Sequence, residues 1–91
     1  MNSKIKSEAT DTLFEAVLKL ESLEQCYDFF EDLCTIAEIK AMSQRLKVAQ
    51  MLHDGCCYQD IVIETGASTA TISRVNNALQ YGNDGYKSVL K

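Results

Sequence analysis

The 91 residues predict an all-α fold, and three observations carry that prediction. Proline is absent, and the four glycines (Gly55, Gly66, Gly82 and Gly85) all lie in the second half. Apolar residues recur at helical spacing, and no strand-like alternation persists beyond a few residues. Such a chain reads as a series of helices punctuated by glycine stops. Its length suits a single domain, and a core shared between two copies is a common remedy for the marginal stability of so small a unit.

The first helix is expected from about Ser7 to Leu20, where Leu13, Phe14, Val17 and Leu18 form an apolar stripe. Ser22 followed by Gln25 is a capping-box pattern that opens a second helix to about Leu33, with Leu23, Cys26, Tyr27, Phe30 and Leu33 on its apolar face. Thr35 followed by Glu38 repeats the pattern and opens a longer helix to about Asp54. Ile36, Ile39, Met42, Leu46, Ala49 and Leu52 line that helix, and Gly55 stops it. The apolar and aromatic residues of these helices, about 7–54, are assigned to core or dimer packing. After Gly55 the elements shorten: Tyr58 to Thr65 makes two turns, Gly66-Ala67-Ser68 is a turn, and Thr69 to Tyr81 is a helix N-capped by Ser68. A loop from Gly82 to Gly85 leads into a last helical turn from Tyr86 to Leu90, the short C-terminal helix of about 84–90.

The net charge of -4 conceals an asymmetry. Residues 1–35 hold three lysines against eight acids, a balance of -5, whereas residues 36–91 hold six Lys/Arg against five acids, a balance of +1. No acid lies between Thr65 and Asn83. The second half therefore tolerates a polyanion and the first does not invite one. No apolar run approaches the roughly 20 residues of a membrane span, and no signal-peptide core is present, so a soluble cytoplasmic protein is expected. Cys26, Cys34, Cys56 and Cys57 form no C-x-x-C pair, and His53 is the single histidine. That set argues for reduced, incidental thiols rather than zinc. With no nucleophile paired to that histidine and no glycine-rich phosphate loop, no catalytic constellation is present and an enzyme is not expected.

A short helix, a glycine turn and a second helix, spanning about 58–81, make a helix-turn-helix pattern. Gly66 supplies the left-handed backbone of the turn, and Ile61, Ile72 and Val75 are expected to meet in the wedge between the helices. Val62 stands where closely approaching helices favour a smaller residue. Stepping 100° per residue along the second helix with Ile72, Val75 and Leu79 inward places Ala70, Ser73, Arg74 and Asn77 outward, flanked by Thr69 and Gln80. A solvated helix face normally carries Glu and Lys. This one offers hydroxyls, an amide, a methyl and one cation, the chemistry that reads base edges in a major groove.

The segment G-A-S-T-A-T-I-S-R-V-N, preceded by L-C-T-I-A-E-I and Q-R-L-K-V-A-Q-M-L, resembles the Trp repressor superfamily. It is most similar to the YerC/YecD branch of Trp repressor-like proteins, including the ending Tyr81-Gly82-Asn83-Asp84. The resemblance, over roughly residues 10–90, implies a six-helix Trp repressor-like helix-turn-helix fold in an intertwined homodimer that binds double-stranded DNA. It implies that Thr69, Ala70 and Ser73 face bases, and that Gln59 and Asn77 contact the backbone. Ser68 and Arg74 complete the expected DNA-binding set. Trp repressor itself is known for water-mediated readout.

The same resemblance raises the question of tryptophan. Thr35, Arg45 and Arg74 match the positions that hold the ligand in Trp repressor. Two departures argue against it: Val75 stands where the repressor has a glycine, and Ala78 where it has a serine that helps bind the amino group. An ammonium left desolvated without that hydroxyl costs roughly 1–3 kcal/mol. Thr35, Arg45, Arg74, Val75 and Ala78 thus outline an effector pocket altered away from tryptophan, and no cofactor is expected, although another small effector stays open. The leading expectation is a transcriptional regulator, of the repressor kind, that needs no tryptophan. The alternative is a helical protein-interaction module whose helix-turn-helix docks onto another protein.

Overall fold

The computed structural model describes residues 1–90. Among them it contains six helices and no strand: α1 (Glu8–Leu18), α2 (Leu23–Leu33), α3 (Ile36–His53), α4 (Tyr58–Thr65), α5 (Thr69–Tyr81) and α6 (Gly85–Val89). The chain divides into two compact units, one ending at Ile36 and the other starting at Ala37.

In the first unit both helices are capped by serine. Ser7 Oγ accepts the Thr10 amide at 3.0 Å, and Lys6 pairs with Asp11 alongside. Lys19 and Leu20 donate their amides back to Ala16 and Val17, so α1 tightens and ends before the Leu20 expected from the pattern. Ser22 Oγ accepts the Gln25 amide at 3.1 Å, as the capping box requires, but the Gln25 side chain accepts from the Glu21 amide, one residue before the cap. Phe29 and Phe30 meet edge to face. No residue of α1 or α2 is buried, and among the described residues nothing before Val48 is. Phe14, Leu18, Leu23, Tyr27, Leu33 and Ile36 stand exposed, Leu18 to 83%.

The second unit holds the core. Val48 and Ala49 of α3, Ile61 of α4, Ala67 of the turn, Ile72, Val75 and Leu79 of α5, and Leu90 form one buried cluster. Met51, Leu52, Cys56, Val62 and Tyr86 pack against it. The long α3 stripe is therefore buried only at its C-terminal end: Ala49 is fully enclosed, whereas Met42 and Leu46 remain exposed. At that end Gly55, at φ +85°, lets the Cys56 amide reach the Met51 carbonyl at 2.9 Å and its own amide reach Leu52 at 3.1 Å. These are the two bonds of a Schellman cap, and the positive φ is what makes glycine the natural residue there.

At the other end of the unit, Gly82 closes α5. A Cβ at Gly82 would sit 2.3 Å from the Ala78 carbonyl oxygen, so the Y-G-N-D ending requires glycine for space rather than for a left-handed backbone. The left-handed residue of this loop is Asp84, at φ +61°, from which α6 starts at Gly85, one residue earlier than the pattern of Tyr86 to Leu90 suggests.

Candidate nucleic-acid interface

The helix-turn-helix forms within the second unit, with α4 and α5 at the bounds that the sequence predicts. Gly66 follows α4 in the left-handed region, at φ +71°, and returns its amide to the Val62 carbonyl at 2.9 Å. Any other residue there would hold its Cβ against the following carbonyl at a cost of roughly 1–2 kcal/mol. Thr65 braces the turn: its Oγ1 donates to the Ile61 carbonyl at 2.7 Å and accepts the Ala67 amide at 3.1 Å. Ser68 then caps α5, its Oγ accepting the Thr71 amide at 3.1 Å and donating to Thr71 Oγ1 at 3.0 Å.

Ile61, Ile72 and Val75 meet in the wedge as expected, all buried, with Val75 only 2% exposed. Val62 is accommodated half-buried at the edge of the same cluster, so its bulk does not expel it from the packing. With that side fixed, Thr69, Ala70, Ser73, Arg74 and Asn77 are all exposed on the opposite side of α5, and Ser68 and Gln59 are exposed at the starts of α5 and α4. Arg74 takes part in no ion pair among the described residues. The helix-turn-helix thus offers hydroxyl, amide, methyl and guanidinium groups on one continuous face without a carboxylate on α5.

The five residues outlined as an effector pocket differ in burial. Val75 belongs to the buried core, Arg45 is half-buried, and Arg74 and Ala78 are exposed; Thr35, also exposed, belongs to the first unit. Ala78 does line an open groove of about 480 Å³, together with Leu46, Gly82, Asn83, Gly85, Tyr86 and Val89. Neither Arg45 nor Arg74 lines it. Cys56 is packed against the core and Cys57 is exposed at the start of α4; neither forms a disulfide.

A family profile described as "Trp repressor protein" matches residues 8–91. The chain belongs to the Trp repressor family. Within that family it is similar to YerC of Bacillus subtilis (strain 168), with 55% identity over 87 residues covering 96% of this chain and 84% of the relative. A crystal structure of a TrpR-like protein from Eubacterium eligens ATCC 27750 superposes with a TM-score of 0.94 at 58% identity, covering 97% of this chain and 91% of that one. Another solved structure, from Staphylococcus aureus, gives a TM-score of 0.92 at 55% identity, covering 96% and 87%. The resemblance read from the motifs is therefore borne out, as is the six-helix Trp repressor-like fold. Pattern reading missed Gln44, whose Nε2 donates to the Thr65 carbonyl at 3.1 Å. A glutamine on a long helix carries no signal of a bond to a residue 21 positions away.

Proposed function

We propose that this family member is a homodimeric, sequence-specific DNA-binding transcriptional regulator that acts without tryptophan. The observation that carries this reading is the exposed, acid-free face of α5, held outward by the burial of Ile72, Val75 and Leu79. On it, Thr69, Ala70 and Ser73 are assigned to base edges near the helix N-terminus, and Arg74 to a guanine edge or a phosphate. Gln59, Ser68 and Asn77 are assigned to the DNA backbone, which sets register rather than sequence. Repression by occupancy of the operator is the expected outcome in the cell, and binding rather than catalysis is the activity.

Dimerisation is supported by the first unit, which has no fully buried residue and leaves Phe14, Leu18, Leu23, Tyr27 and Leu33 exposed. Exposed apolar area of this kind marks an association surface. Independence from tryptophan is supported by Val75, which occupies the core with its own side chain. Calorimetric titration with L-tryptophan is expected to give no saturable heat; micromolar binding would overturn this part of the reading.

Selection of bound duplexes from a random pool, with purified protein and no added ligand, tests the proposal directly. It should enrich a near-palindrome whose half-sites lie about one helical turn, roughly 10 base pairs, apart or a multiple of it. No enrichment, with binding seen only below about 50 mM salt, would instead favour a protein-interaction module.

A further inference from the structure

Beyond its outward face, the helix-turn-helix has a polar connection to α3. Gln44 is half-buried, and its Nε2 donates to the Thr65 carbonyl at 3.1 Å. Thr65 is the last residue of α4, and its carbonyl is one of those that a helix end leaves without an intrahelical donor. Gln44 supplies the missing donor from a different helix. The Thr65 hydroxyl meanwhile bridges the Ile61 carbonyl at 2.7 Å and the Ala67 amide at 3.1 Å. Ala67 is buried at 3% exposure, and the next residue, Ser68, is the cap of α5. One residue, Thr65, thus ties α3, α4 and the turn together four residues before α5 begins.

We propose that Gln44, acting through Thr65, is a positioning residue for sequence reading: it fixes the direction in which α5 leaves the turn. The inference rests on the DNA-binding reading above. Apolar packing of Val48 and Ala49 against Ile61 holds the elements together but is non-directional. The Gln44 bond is directional and joins α3 to the point where the chain reverses. Hydrogen bonds to base edges tolerate misplacement of only about 0.5 Å or 10–20°. Contacts to phosphates carry no sequence information. Releasing the tether should therefore weaken binding to the operator and spare binding to arbitrary duplex.

The test compares four variants with wild type: Gln44→Met, which keeps length but cannot donate; Gln44→Glu, which sets an acceptor against an acceptor; Thr65→Val; and Thr65→Ser, which restores the hydroxyl. Affinity is measured for the selected operator and for a random duplex of equal length at one salt concentration, with melting temperature and amide exchange at Ala67 recorded in parallel. Gln44→Met, Gln44→Glu and Thr65→Val are expected to lose about tenfold in operator affinity while random-duplex affinity stays within about twofold. The Ala67 amide should exchange faster in Gln44→Met and Thr65→Val, and Thr65→Ser should recover operator binding. Equal losses on both duplexes, following the melting temperature, would show a merely structural bond and overturn the proposal. So would a wild-type specificity ratio in Gln44→Met, which leaves the DNA-binding reading standing. A wild-type protein that selects no operator overturns that reading and this inference together.

Discussion

Replacing Val75 by glycine, the residue at the matching position of Trp repressor, is expected to destabilise this protein by about 3 kcal/mol. Two terms add. Val75 is 2% exposed and packs with Ile61, Ile72 and Leu79, so its side chain contributes on the order of 1.5–3 kcal/mol of burial. Glycine inside α5 costs a further ~0.5 kcal/mol relative to valine, itself only a middling helix former. For a domain of this size the melting temperature should fall by roughly 12–24 °C. The comparison must be made at one protein concentration, because dimer formation would make the midpoint concentration-dependent. A midpoint unchanged by the substitution would mean that Val75 is not part of the core and does not fill the space an indole would need.

Arg74→Ala should weaken operator binding by about 1–3 kcal/mol, or roughly 5- to 150-fold, if the guanidinium meets a guanine edge. Arg74 is exposed and free of ion pairs among the described residues, so removing it should leave the melting temperature near wild type. The salt dependence separates its two assigned roles. A phosphate contact would lower affinity about equally for all duplexes and reduce the slope of log K against log salt by about 1. A base contact would relax preference at one position of each half-site and leave the slope nearly unchanged. Binding of Arg74→Ala at wild-type strength on every duplex would remove Arg74 from the interface.

Much of the fold was legible in the residues because local rules decided it. Ser22 and Ser68 cap their helices through their own side chains. Gly55 and Gly66 stop α3 and α4 with the positive φ that only glycine adopts cheaply. The bounds of α4 and α5, and the outward side of α5, follow from these signals and a 100° step. Other features were illegible for equally physical reasons. Apolar periodicity along α3 marks a face but does not say what covers it. Ala49 is enclosed and Leu46 is open, though both lie on the same stripe. Gly82 reads as a loop residue in sequence, yet its need arises from the proximity of the Ala78 carbonyl.

By itself, then, the sequence determined the helices, their stops, the family and the chemistry displayed on α5, because capping, glycine and periodicity act within a few residues. Only the tertiary structure decided which part of the α3 stripe is enclosed, that Gly82 is required by the nearby Ala78 carbonyl, and that Gln44 reaches Thr65. Burial and long-range hydrogen bonds depend on which distant segments meet, and no local pattern encodes that meeting.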